Sequence, residues 1–295
     1  MAFTIVTDTS SNLPTPFLEE HSVRVLPLMY TVNGEELCCL DTEEFNDGEG
    51  EAYYASIKEG TRVMTTQVTP QRYIEFLEPL LKNGEDLLFV GMSSGISNSY
   101  NSSEIAADEL RALYPERRIR TVDTLAASLG EGIAVVHAIE FRDAGLSLDE
   151  TADRLLSMRQ SLYQVVLLDD LMHLHRGGRV SAPKALIGTV LGIRPILKGD
   201  EGGHLVVCGK TRGRKRGLAV LAEKYAQLAD REKDQLVGIA FTDCPEDAYE
   251  LRDTLEAIWA PREIMVVRYE PVTGSYVGPG TVALFFEGRD GVRQN

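Results

Sequence analysis

Short β-branched runs alternate with amphipathic helical stretches along this chain. That alternation limits the fold more than any other feature, because parallel strands need long crossovers and amphipathic helices need a sheet to cover. Thr4–Thr7 reads as a first strand, ending in the polar loop from Asp8 to Pro14. Leu87–Met92, Ile119–Val122 and Val165–Leu168 read as further strands. Between them, Thr69 is placed to cap a helix whose first residue is Pro70. Tyr73, Phe76, Leu77, Leu80 and Leu81 then recur on one helical face, and Asn83-Gly84 stops the run. These signals predict an α/β protein whose N-terminal sheet is mostly parallel and covered by helices.

The second half has another texture. Pro195 to Val207 reads as a hairpin around a glycine-rich turn, followed by a helix over Leu218–Ala229 with Leu218, Leu221, Ala222, Tyr225 and Leu228 on one face. Leu236–Phe241 and Ile264–Val267 read as strands, with a helix over Tyr249–Trp259 between them. Hairpins mixed with helices predict a C-terminal α+β domain with a mixed sheet. At roughly 150 residues per domain, 295 residues imply two, 1–159 and 160–295. Asp41–Glu51 holds six acids and no base and reads as a solvated loop.

Charge and composition then exclude whole classes. The formal net charge of −15 opposes binding to nucleic acid or to an anionic membrane. No apolar run approaches the roughly 18 residues of a membrane span. The start, Met1 to Asp8, lacks the basic and apolar regions of a signal peptide. Four cysteines without a C-x-x-C spacing point to neither a metal site nor a disulfide framework. The expectation is a cytoplasmic protein without metal or stable membrane insertion.

The most informative stretch is the serine-rich turn from Gly91 to Ser103, between a strand and a helix over Glu104–Leu113. Backbone N–H groups and hydroxyls at a helix start suit a carboxylate or phosphate, although serines there also serve simply as caps. The segment Gly91-Met92-Ser93-Ser94-Gly95 also spells G-x-S-x-G, the turn that carries the nucleophile of esterase-type serine hydrolases. Such a serine needs a later acid and histidine. The later histidines are His137, His173, His175 and His204, none near the C-terminus. A serine hydrolase is therefore the alternative reading.

Several separated motifs, in order, resemble the DegV family of fatty-acid-binding proteins. They are Val6-Thr-Asp-Thr-Ser-Ser-Asn-Leu-Pro14, Thr65-Thr-Gln-Val-Thr-Pro70, Ser93-Ser-Gly-Ile-Ser-Asn-Ser-Tyr100 and Val122-Asp-Thr-Leu-Ala-Ala-Ser-Leu-Gly130. Gly177-Gly-Arg-Val-Ser181, Arg194-Pro-Ile-Leu197, Gly209-Lys-Thr-Arg-Gly-Arg-Lys215 and Gly278-Pro-Gly280 follow. The resemblance spans the chain. It implies two α/β domains with a long-chain fatty acid in a buried tunnel between them. It also implies a carrier, not a catalyst, that presents the carboxylate to a separate ATP-dependent fatty acid kinase subunit for acyl-phosphate formation. The fatty acid is then a ligand, and no cofactor is implied.

Carried over residue by residue, the resemblance places Thr65 and Ser94 at the carboxylate, with Ser97 and Asn98 close enough in sequence to contribute, and Arg179 at the pocket mouth. Asn98 stands where the family usually has glycine. Tyr276 stands where the family has histidine before x-G-P-G, and its hydroxyl is the expected replacement donor. The run Lys210-Thr-Arg-Gly-Arg-Lys-Arg216 holds five bases in seven residues. It resembles the surface recognised by the kinase partner, with Lys210, Arg212 and Arg214 as docking residues; alone, it reads as a solvated basic face.

Overall fold

The computed structural model describes residues 3–39, 45–181, 192–231 and 234–294. With strands numbered in chain order, β1 (Thr4–Asp8) lies between β2 (Arg24–Leu26) and β6 (Leu87–Gly91), and β7 (Ile119–Asp123) is outermost beyond β6. All three pairings are parallel. The helix Thr15–Glu20 makes the crossover from β1 to β2, and Ser99–Leu113 that from β6 to β7. Every residue of β6 is buried, which explains its unbroken apolar run. The helix Pro70–Lys82 forms as its signals require: the Thr69 hydroxyl accepts from the Arg72 N–H, and Tyr73, Leu77 and Leu81 are buried.

The second half builds a six-stranded mixed sheet in the order β10-β9-β8-β13-β11-β12. Its strands are β8 (Leu162–Leu167), β9 (Ile193–Gly199), β10 (Leu205–Arg212), β11 (Leu236–Phe241), β12 (Glu263–Arg268) and β13 (Val282–Glu287). Only β11 and β12 are parallel neighbours; β9 and β10 are the expected hairpin. Along β8 the side chains alternate between faces. Tyr163, Val165 and Leu167 join a cluster with Leu221 and Tyr225 of the helix Arg214–Leu228, while Leu162 and Val166 face the core that contains Ile133 and Val135.

Those last residues belong to the helix Leu129–Asp143, which packs against β1 and β6 of the parallel sheet and against β8, β11 and β13 of the mixed one. It is the common core of the two halves. Its buried positions run almost continuously from Leu129 to Val135, so it has no polar stripe and no amphipathic signal in the sequence. A Cβ on Gly132 would sit 2.7 Å from the Ser11 carbonyl oxygen, and one on Gly238 would sit 2.7 Å from the Leu129 side chain. Glycine at both places allows this close approach.

Other differences from the sequence reading have similarly local causes. The helix after the serine turn begins at Ser99, not Glu104. A third, antiparallel sheet, β4 (Glu35–Cys38), β3 (Met29–Val32) and β5 (Val63–Thr65), comes from strands too short to register as a pattern. Of the acidic segment Asp41–Glu51, residues 41–44 lie outside the described residues. The remainder is not a solvated loop: Phe45 is buried edge-on against Tyr53 and Tyr54, and the helix Gly50–Lys58 starts within it.

The central helix is also fastened electrostatically. His137 lies 2.9 Å from Glu140 on its own helix and 2.9 Å from Glu287 on β13. Burial by itself would lower the imidazole pKa, but the hydrogen bonds to the two carboxylates outweigh it and raise it to about 9. The raised value means that the stabilisation is complete below the unfolded value near 6.5 and is lost as pH rises towards 9. His137→Gln should therefore cost on the order of 3 kcal/mol at pH 6 and much less at pH 9.5. Denaturant unfolding at the two pH values checks this, and an equal cost at both would contradict it.

Candidate functional site

A cavity of about 200 Å³ lies where the halves meet, walled by the serine turn, the segment after β5, the helix Pro271–Val277, β8 and β13. One water needs roughly 10–15 Å³ by a comparable measure, so this space suits a much larger guest. Most of its wall is apolar, including Met92, Ile96, Val166, Leu205, Val272 and Phe285. Arg179 is the one charged residue on the described wall.

Three of the expected residues converge. Thr65 ends β5, where β3 holds it opposite Tyr30. Its hydroxyl lies 2.5 Å from that of Tyr276. Tyr276 sits on the helix Pro271–Val277, whose cap is Glu270: one carboxylate oxygen accepts from the Val272 N–H and the other from the Thr273 N–H, both at 2.6 Å. Arg179 lays its guanidinium 4.5 Å from the centre of the Tyr276 ring and donates from Nε to the Ile96 carbonyl at 3.3 Å. A Cβ on Gly177 would lie 2.5 Å from the same ring, so the Gly177-Gly178 turn makes room for Tyr276. Together these bring two hydroxyls and one cation from three distant parts of the chain to one point.

The serine turn divides its residues. Ser97 and Asn98 line the cavity; the Ser97 hydroxyl accepts from the Ser99 N–H, and Asn98 is exposed at the helix entrance. Ser94 stands apart. Its hydroxyl donates to Asp123 at 2.6 Å, joining the ends of β6 and β7, and it is not on the cavity wall. Gln67, Ser128, Gln164, Tyr269 and Thr273 also line the cavity. The sequence carries no periodic signal for them, because a wall made from loop ends and single strand positions has none.

Glu270 belongs to a buried acidic group. Burial pushes its carboxyl up to about 7 and that of Asp8 up to about 6, and it also raises Glu131. Ser10 Oγ contacts Asp8 and lies 2.6 Å from Glu131. One hydroxyl proton cannot serve two carboxylates, so one of the pair must carry a proton of its own.

The hydrolase alternative fails on geometry. Ser93 is fully buried, donates to the Gly203 carbonyl at 2.9 Å and accepts from the Gly95 N–H. It fastens the serine turn to the β9–β10 turn instead of facing a base. His204, in that same turn, directs its ring to Asp200. Lys210 and Arg212 are exposed along the edge strand β10. Arg214 is committed internally, to Asp169, Asp247 and the Gly280 carbonyl. Among the described residues no group of His, Cys, Asp or Glu could hold a metal, and no helix is long and apolar enough to cross a membrane.

Across residues 2–289 the chain matches the family model described as uncharacterised proteins of the DegV family. A DegV domain-containing protein of Clostridium perfringens is 34% identical over 291 residues, with 97% of each chain covered. Among solved structures, a fatty-acid-binding DegV family protein from Thermus thermophilus superposes with a TM-score of 0.86. It is 26% identical, covering 98% of this chain and 100% of its own. The fatty-acid-binding DegV family protein of Streptococcus agalactiae gives a TM-score of 0.81 at 25% identity, with 98% and 100% covered.

The placement of Ser93 has a direct check. A fluorophosphonate probe should leave the folded protein unmodified, as read by intact-mass spectrometry; an adduct mapped to Ser93 would restore the hydrolase reading.

Proposed function

This chain belongs to the DegV family, and we propose that it is a carrier holding a long-chain fatty acid in the cavity between its halves. The observation that carries this reading is an apolar cavity with the Thr65–Tyr276 hydroxyl pair and Arg179 gathered on its wall. In this reading Tyr276, Thr65 and Ser97 donate to the carboxylate, Asn98 borders it, and Arg179 offsets its charge from the mouth. Ser94 supports the turn through Asp123. Burying one methylene is worth about 0.8 kcal/mol, so a chain of roughly fifteen supplies on the order of 10 kcal/mol. A hydrogen bond to a charged group adds only about 1.5–3 kcal/mol. The tail gives affinity; the hydroxyls give orientation.

Presentation to an ATP-dependent kinase subunit is the second part of the proposal. Its support is the exposed pair Lys210 and Arg212 on an acidic protein, adjoining Arg214, which binds the carbonyl of Gly280 four residues beyond Tyr276. The basic edge is thus tied to the turn that follows the head-group helix. A carrier role needs no catalytic residue in this chain, and a cytoplasmic site of action fits a soluble kinase partner.

Purified protein should yield fatty acid in near-stoichiometric amount when its organic extract is analysed by mass spectrometry. A clean extract from protein that also refuses reloading would overturn the reading. Tyr276→Phe keeps the ring and removes the donor, so retention should weaken by about 1.5–3 kcal/mol; unchanged retention would remove Tyr276 from the site. Lys210→Glu with Arg212→Glu should slow acyl-phosphate formation by the kinase while the bound acid stays in place. Loss of the acid instead would assign these residues a structural role.

A further inference from the structure

The cavity holds a second polar locality, built from other elements than the Thr65–Tyr276–Arg179 cluster. Ser128 immediately precedes the helix Leu129–Asp143, and Gln164 lies on β8 with Val166 on the same face. Both line the cavity, and their residues are 1% and 2% exposed. Neither Ser128 Oγ nor Gln164 Nε2 makes a hydrogen bond to the protein. The amide orientation of Gln164 follows from its other atom: the Ala127 N–H donates to Oε1 at 3.3 Å, which leaves Nε2 as a donor without a partner. Burial raises the pKa of the Tyr269 phenol, and the Ser128 hydroxyl works against that rise.

Two features set this place apart from ordinary packing. Ser128 adopts φ 53° and ψ −142°, a region that residues with a side chain rarely occupy and that concentrates where ligands are held. Glycine would take it without strain. The hydroxyl also stands at the positive end of a 15-residue helix, where the first N–H groups have no partner within the helix. Unsatisfied donors, backbone strain and a helix start therefore meet on an otherwise apolar wall.

Resting on the fatty-acid reading above, we propose that Ser128 and Gln164 bind a hydroxyl group on the acyl chain, making a hydroxy fatty acid the preferred ligand class. A chain hydroxyl can accept from Gln164 Nε2 and donate to Ser128 Oγ at once, satisfying both. A plain methylene at the same depth leaves both buried groups facing hydrocarbon. Two neutral hydrogen bonds with their desolvation cost removed correspond to roughly tenfold or more in affinity.

The test uses the full chain, stripped of lipid, with octadecanoic acid competing against octadecanoic acids hydroxylated at successive carbons. One or two adjacent hydroxyl positions should bind roughly tenfold more tightly than the plain acid. Ser128→Gly combined with Gln164→Leu should abolish that preference while plain-acid binding persists, with thermal melting confirming that the variant is folded. Ser128→Gly alone removes the hydroxyl without disturbing the backbone and should lose part of the preference. If the plain acid binds but no hydroxy acid binds better, this inference is overturned and the fatty-acid reading stands. If the preference survives in the double variant, the assignment to these residues is overturned. If no acid binds at all, both readings fall.

Discussion

The helix Leu129–Asp143 has to be buried by two sheets at once, and the rest of the molecule is arranged around that requirement. Its face towards β1 and its face towards β8, β11 and β13 are both in the core. Over its buried stretch such a helix cannot expose polar groups, so Glu131 and His137 need partners within the protein. Glu131 accepts from Thr7 at 3.0 Å and contacts Ser10, and His137 bridges Glu140 and Glu287. Leaving such groups unpaired would cost several kcal/mol apiece. The buried polar loop after β1 supplies one of the partners of Glu131 through Ser10.

The same interface creates the candidate site. Thr65 comes from the small sheet, Ser97 from the turn after β6, and Arg179 and Tyr276 from segments that flank strands of the mixed sheet. Arg179 and Tyr276 meet within the second half, but the Thr65 hydroxyl reaches Tyr276 only where the halves join. Asn12 reinforces the arrangement: its amide donates to the Arg268 carbonyl and accepts from the Glu270 N–H, both at 2.7 Å. Since Glu270 caps the helix that carries Tyr276, the N-terminal loop helps to position that helix through one asparagine and one buried carboxyl.

The formal net charge of −15 counts three buried carboxyls, Asp8, Glu131 and Glu270, as ionised. Inside, burial favours the protonated forms of Asp8, Glu131 and Glu270, so the acids at the junction cost less than their number suggests. The basic run is likewise split: Arg214 is consumed in holding Asp169, Asp247 and the Gly280 carbonyl, and Lys210 and Arg212 remain outside.

Elements with one buried face were legible in the sequence because their patterns record that face: the helix Pro70–Lys82 by its apolar spacing and caps, the β9–β10 hairpin by its glycine turn. Thr65, Ser97, Arg179 and Tyr276 were legible only through motif resemblance, since no local rule requires those residue types there. Ser94 lay within such a motif, yet the structure turns it to Asp123, because adjacent serines on a tight turn must point in different directions. The helix Leu129–Asp143 left no pattern, its first two turns being buried all round, and Ser128 and Gln164 left none because a wall position on a loop or strand looks like core. Local propensity and periodicity reach as far as the faces of single elements. Which faces meet, and which hydroxyls then find no partner, depends on contacts between residues more than a hundred positions apart, and these were decided only when the two sheets closed on one helix.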